Sequence, residues 1–137
     1  MSSMKFHLQA PAGNVVTGCG DGWVRVGADE YRENLVLTPE RVTPGFAPGG
    51  FAALTAGDFA PLAAQKPEIV LLGTGGAQRF PHPGVTAPLH DAHVGLEVMD
   101  TRAACRTYNI LAAEGRNVVA ALIVATSGSQ GNGVSEV

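Results

Sequence analysis

The apolar residues of this chain change rhythm about halfway along, and the change predicts two kinds of structure. Between Gly22 and Val26, Trp23, Val24 and Val26 form a short β-type run. Gly27-Ala28-Asp29 supplies a turn and Glu30 to Leu37 continues as a second strand, so the first half opens on a β-hairpin. A short strand over Arg41 to Thr43 follows. The segment Pro44-Gly45-Phe46-Ala47-Pro48-Gly49-Gly50 then excludes regular structure and reads as a surface loop. From Thr55 onward short helices alternate with buried strands. Thr55 or Asp58 caps a helix through Phe59, Leu62 and Ala63 that stops at Pro67. Ile69 to Leu72 is an unbroken apolar run, the pattern of a strand buried on both faces. Gly73-Thr74-Gly75-Gly76 makes a tight loop, Pro83 to Ala92 a short helix and Gly95 to Met99 the next strand. Asp100 or Thr101 caps a helix that runs to Glu114, with Gly115 just past its end. Val118 to Val124 is the last buried strand.

This order predicts a single α/β domain in which an antiparallel β-hairpin subdomain packs with a mainly parallel β-α-β sheet, its crossovers right-handed. The pattern fades at both ends. Met1 to Val16 is only weakly patterned, and the Gly/Ser-rich stretch 125–137 is too poor in apolar residues to pack. The expected domain is therefore 17–124, followed by a disordered tail.

Composition narrows the classes of function. The 137 residues fit one domain, and 45% hydrophobic residues suffice for a core. Only 15% are charged, so 18 Gly and 9 Pro imply tight turns on a surface poor in charge. A net charge of −3 argues against nucleic-acid binding, which needs a basic surface to displace counterions. Val118 to Ala125, the longest apolar run, falls far short of the roughly 20 residues that span a bilayer. The start Met1-Ser2-Ser3-Met4-Lys5-Phe6 lacks the apolar stretch of a signal peptide, which makes a soluble, cytoplasmic protein the expectation. Cys19 and Cys105 are too few for a disulfide framework and suit a reducing compartment.

The candidate chemistry gathers around one loop and one helix. Gly73-Thr74-Gly75-Gly76-Ala77-Gln78 resembles a dinucleotide fingerprint, but Gln78 stands where the third glycine belongs and Pro81 and Pro83 forbid a helix there. Free N–H groups in that loop, with Arg79 nearby, instead suit a small anion. On the following helix Ala104, Tyr108 and Leu111 share a face, flanked by Ile110, that packs on the sheet. Arg102, Arg106 and Asn109 line another face, either solvated or meeting a carboxylate such as Asp100, Glu97 or a partner's acid. Cys105 lies in the first turns, where the helix dipole favours a thiolate, yet among alanines it reads first as a small buried hydrophobe. His82, His90 and His93 match no zinc spacing, so no metal is expected. Trp23 and Tyr31 are expected to pair across the hairpin. Phe46 and Phe51 either form an exposed aromatic patch or fold back onto the core.

Several segments together carry a family resemblance: Pro67-Glu68-Ile69-Val70-Leu71-Leu72-Gly73-Thr74-Gly75, Gln78-Arg79-Phe80-Pro81, Gly95-Leu96-Glu97-Val98-Met99-Asp100-Thr101 and Ala103-Ala104-Cys105-Arg106-Thr107-Tyr108-Asn109-Ile110-Leu111. Over roughly Gly18 to Ile123 the chain resembles the family called domain of unknown function 498, which includes the mitochondrial complex I assembly factor 3. The resemblance implies one α/β domain with an antiparallel β subdomain on a parallel sheet. It implies no reaction, and the mitochondrial relative acts by binding partners.

The expectation is thus a non-enzymatic interaction or assembly-factor-like protein with no catalytic residues, no cofactor, a protein partner, and room for an oligomer. The alternative is an anion-binding or minor enzymatic module. Both centre on Gly73, Thr74, Gly75, Arg79, Asp100, Thr101, Cys105, Arg106 and Asn109.

Overall fold

The computed structural model describes residues 13–124, so the expectations for Met1 to Ala12 and for the tail 125–137 lie outside the described residues. Strands β1 (Val16–Gly20), β2 (Trp23–Val26) and β3 (Asp29–Tyr31) form an antiparallel three-stranded sheet. The other strands are β4 (Leu35–Thr38), β5 (Arg41–Pro44), β6 (Ile69–Gly73), β7 (Gly95–Met99) and β8 (Val118–Leu122). They build a five-stranded sheet in the order β5-β4-β8-β6-β7. Its β8-β6-β7 part is parallel, as buried β-α-β strands require, while β4 and β5 extend it antiparallel.

Three helices close the faces: α1 (Ala56–Ala64), α2 (Pro83–Asp91) and α3 (Thr101–Ala113). Side-chain alternation along the central strands divides the core in two. Val70, Leu72, Val119 and Ala121 point to the layer with Phe59, Leu62 and Leu89 of α1 and α2. Leu71, Val118, Ala120 and Leu122 point the other way, to Ala104, Cys105 and Tyr108 of α3 and to Val16, Val24 and Val26 of the small sheet.

The sequence places the helix boundaries of α3 well because its caps are local. Asp100 Oδ1 accepts from the Ala103 amide at 2.9 Å at one end. At the other, Gly115 takes φ 79°, its N–H bonds Ala112 at 2.9 Å, and the Arg116 N–H reaches back to Leu111 at 3.0 Å. That is a Schellman cap, and a side chain at Gly115 would be strained in it.

Three expectations change, and the alternative left open for Phe46 and Phe51 is decided. The strand expected over Glu30 to Leu37 breaks after Tyr31, and its halves join different sheets. The cause is Asn34, a buried polar side chain that donates to the Ala47 carbonyl at 2.9 Å and accepts from the Val124 amide at 2.6 Å. Buried polar groups must be paired, so Asn34 holds the crossing point in place. Trp23 does not face Tyr31, because the register sets Val24 opposite Tyr31 and Trp23 opposite Gly20. Trp23 lies instead under the Arg25 guanidinium, 5.3 Å from its ring centroid. Ile110 does not flank the packed face of α3 and is 59% exposed. Phe46 and Phe51 form no exposed patch. Phe46 is buried edge-on against Phe59, centroids 5.9 Å apart, and Phe51 is half-buried under Arg79.

Candidate functional site

The carboxyl ends of β6 and β7 and the start of α3 meet at one end of the five-stranded sheet, bringing together Gly73, Thr74, Gly75, Arg79, Asp100 and Thr101. Most of their polar groups are already engaged. Thr101 and Gly75 exchange two hydrogen bonds: the Thr101 amide donates to the Gly75 carbonyl at 2.9 Å, and the Gly75 amide donates to Thr101 Oγ1 at 2.8 Å. The Thr101 hydroxyl in turn donates to the Ile123 carbonyl at 2.8 Å, joining the glycine loop, α3 and the end of β8 through one buried side chain. Gly73 is needed for this approach. A Cβ there would stand 3.0 Å from Thr101 Cα and 3.1 Å from Ala104 Cβ.

Thr74 and Arg79 shape the loop. The Thr74 amide donates to Met99, and its hydroxyl donates to the Ala77 carbonyl at 2.6 Å while accepting from the Arg79 amide at 3.1 Å. The Arg79 guanidinium donates to the Thr74 carbonyl at 2.7 Å and stacks over Phe51 at 4.4 Å from the ring centroid. Gln78 donates to the Val98 carbonyl of β7 at 2.9 Å. Gly75 takes φ 100°, which a side chain would strain. The segment is a hydrogen-bonded loop at a strand end rather than a glycine turn opening onto a helix.

Cys105, Arg106 and Asn109 lie further along α3 and face β1. Asn109 pairs with the Val16 backbone in both directions, accepting from its amide and donating to its carbonyl, each at 2.9 Å. It completes β1 as a neighbouring strand would. Six of the nine residues therefore divide between two hollows, while Gly73, Thr74 and Asp100 line neither. A cleft of about 220 Å³ is lined by Gly75, Arg79 and Thr101 together with Arg102 and the β1–β2 turn at Gly20 to Gly22. A groove of about 280 Å³ runs between α3 and β1, past Cys105, Arg106 and Asn109. Cys19 and Arg102 border both, and Arg102 donates to the Cys19 carbonyl at 3.2 Å. Each volume lies below the roughly 300–1,000 Å³ of a drug-sized pocket, so each suits a small anion or a protruding side chain rather than a dinucleotide.

The β1–β2 turn is the wall that sequence reasoning missed. It lies some eighty residues before α3, and no periodicity relates the two segments. The triplet Gly20-Asp21-Gly22 signals only a turn.

Burial dominates the electrostatics of the cysteine. It pushes the Cys105 thiol well above its ordinary range, and the neighbouring Cys19 thiol pushes the same way. Arg102 and Arg106 oppose this, but the thiol stays protonated at neutral pH. Tyr108 is raised as well, by burial and then by Glu40, and its hydroxyl donates to the Asn14 carbonyl at 2.8 Å. His82 and His90 make local contacts: His82 Nδ1 accepts from the Gly84 amide at 2.9 Å, capping α2, and His90 lies 3.3 Å from the Thr86 hydroxyl. Among the described residues no group of three or more His, Cys, Asp or Glu converges as metal ligands would. Nor is any described helix long and apolar enough to cross a membrane.

Comparison with known proteins is consistent with this architecture. A solved structure from Bordetella parapertussis superposes with a TM-score of 0.77 at 40% identity, covering 84% of this chain and 98% of that one. An uncharacterized protein of Rhodobacter capsulatus is 33% identical over 108 residues, 79% of this chain and 82% of that protein. The mouse NADH dehydrogenase [ubiquinone] 1 alpha subcomplex assembly factor 3 is 45% identical over 56 residues, which cover 41% of this chain but only 30% of the mouse protein. A family model described as "Protein of unknown function (DUF498/DUF598)" matches residues 16–123, nearly the whole of the described fold, and the chain belongs to that family.

Proposed function

We propose that this protein is a cytoplasmic, non-enzymatic interaction module of the assembly-factor kind, with residues 17–124 as its working unit and the outer face of α3 as its docking surface. The observation that carries the reading is what remains unengaged around the candidate site. Thr74, Arg79, Asp100, Thr101 and Asn109 are all hydrogen-bonded within the fold. Arg102, Arg106 and Ile110, spaced i, i+4 and i+8, stand exposed in one stripe, in which Arg102 also holds the Cys19 carbonyl and Arg106 and Ile110 are left unengaged. Arg106 makes no hydrogen bond or ion pair among the described residues. Two cations leading to an exposed isoleucine suit an acidic partner segment with one apolar anchor. The name of the mouse relative supports a partner-binding role, and two free thiols suit a reducing compartment. The test is site-specific photo-crosslinking from position 110, with position 32 as control. One discrete partner should be captured from 110, lost on Arg106→Glu and kept on Arg106→Lys. Equal labelling from both positions overturns the reading.

A second reading is supported by the 220 Å³ cleft, whose walls carry the guanidinium groups of Arg79 and Arg102. Phosphate or sulfate would be held between them and the glycine loop. Amide shifts at Gly75, Gly76 and Arg102 that saturate with inorganic phosphate would support it. Unchanged spectra at tens of millimolar phosphate would remove it.

A further inference from the structure

We propose that Cys19 and Cys105 form a thiol pair that a small-molecule disulfide oxidises to an intramolecular bridge, tying β1 to α3. The chain contains two cysteines, and neither takes part in the docking surface proposed above.

The first support is the register of β1. Val16 faces Val26, but a bulge between Val16 and Gly18 shifts the pairing so that Cys19 faces Val24. Val24 and Val26 both point into the core, two residues apart on β2. Without the bulge, Val16 and Cys19, three residues apart, would point to opposite faces of the sheet. The extra residue re-aims Cys19 to the side that meets α3. On the opposite face, Cβ atoms at Gly18 and Gly20 would run into the Arg25 and Trp23 side chains.

The second support is the docking of α3. Asn109 is hydrogen-bonded to Val16 at one end of β1, and Arg102 to Cys19 at the other. Cys105 sits three residues after Arg102 and four before Asn109, so it shares their helix face and falls between those two anchors. Cys19 packs against the apolar cluster that holds Cys105, and both line the 280 Å³ groove. Both side chains border this one groove, close enough for the Cys19 thiol to act on the proton affinity of Cys105.

The chemistry divides the labour. Cys19 is partly exposed and Cys105 buried. The Cys19 thiolate attacks one sulfur of the oxidant disulfide RSSR, forming a mixed disulfide and expelling RS⁻, which takes up the proton Cys19 gave away. Cys105 then loses its proton and attacks the Cys19 sulfur, expelling the second RS⁻, which is protonated in turn. The protein dithiol loses two electrons overall, and RSSR becomes two RSH. Burial holds Cys105 protonated and makes the second step the slow one.

Oxidised glutathione provides the test on the full chain, followed by acid quenching, intact mass and peptide mapping. The expected product is lighter by two hydrogens, joins the Cys19 and Cys105 peptides, melts at a higher Tm than the reduced chain and reverts with reductant. Cys105→Ala should accumulate a stable glutathione adduct on Cys19, and Cys19→Ala should leave Cys105 unmodified. Phenylarsine oxide, which needs two adjacent thiols, should bind the wild-type chain one to one and neither single variant. This arm stands if Cys105→Ala fails to fold. A lasting wild-type adduct on Cys19, a bridge between two chains, or thiols that stay free under excess oxidant would each overturn the proposal.

Discussion

On one face of the five-stranded sheet, α1 and α2 are held by apolar packing, with Phe59, Leu62, Leu89 and Val94 buried against Val70, Leu72, Val119 and Ala121. On the other face, α3 and the small sheet are also fastened by polar bonds between distant segments: Asn109 to Val16, Tyr108 to Asn14, Thr101 to Ile123 and Arg102 to Cys19. The first face depends on area and shape, which many apolar side chains satisfy. The second depends on particular donors and acceptors, and a lost partner costs most where the group left unpaired is buried, as at Thr101. All nine candidate site residues lie at this second face or at the sheet end beside it. The difference teaches that much of the apparent chemistry at this face holds a two-sheet junction together, and that function is best sought in what the junction leaves unengaged.

The comparison can be broken most forcefully on the apolar face. Phe59→Ala removes a fully buried ring and should cost roughly 3–5 kcal/mol, read as a lower urea midpoint with an unchanged slope. On the polar face Asn109→Ala should cost on the order of 2 kcal/mol, because the Val16 amide and carbonyl both lose their partner. Hydrogen exchange should then quicken in β1 and leave β6 protected. Gly73→Ala should cost about 1–3 kcal/mol by pushing α3 off the sheet end.

Alkaline pH sharpens the contrast further. Cys105 and Tyr108 are raised in the folded chain from ordinary values of 9.0 and 10.0. Above those values the unfolded chain has lost protons that the folded one keeps, so their stabilisation is complete below pH 9.0 and declines as pH rises through it. Each group contributes at most about 1.4 kcal/mol per pH unit. Urea midpoints should fall from pH 9 to 11, and less steeply in Cys105→Ala. The smallest effect is expected at the exposed stripe: Arg106→Glu should change stability by no more than about 0.5 kcal/mol while abolishing crosslinking from position 110. A large loss of stability there would mean that Arg106 belongs to the junction after all.

Much of the second half of the fold is legible in the sequence because its signals are local. The apolar run Ile69 to Leu72, the Asp100 cap and the Gly115 stop each act within a turn or a strand. Ile110 was misread because a helical stripe gives the period of burial but not how far the neighbouring layer reaches. The strand break at Asn34 was invisible because its partners, Ala47 and Val124, lie 13 and 90 residues away. For the site, the sequence grouped the glycine loop with the start of α3 correctly, since adjacent parallel strands end side by side. It did not separate that cleft from the groove along β1.

The sequence by itself determined the elements, their order and most of their ends, because hydrophobic period, caps and breakers act over a few residues. It also determined the family, through motifs spread along one continuous stretch. Only the tertiary structure decided that β4 lies antiparallel beside β8, that a bulge turns Cys19 inward, and that Asn109 serves as β1's missing neighbour across 93 residues of chain. Those outcomes depend on how two distant surfaces pair their polar groups once both are removed from water, and no local pattern carries that information.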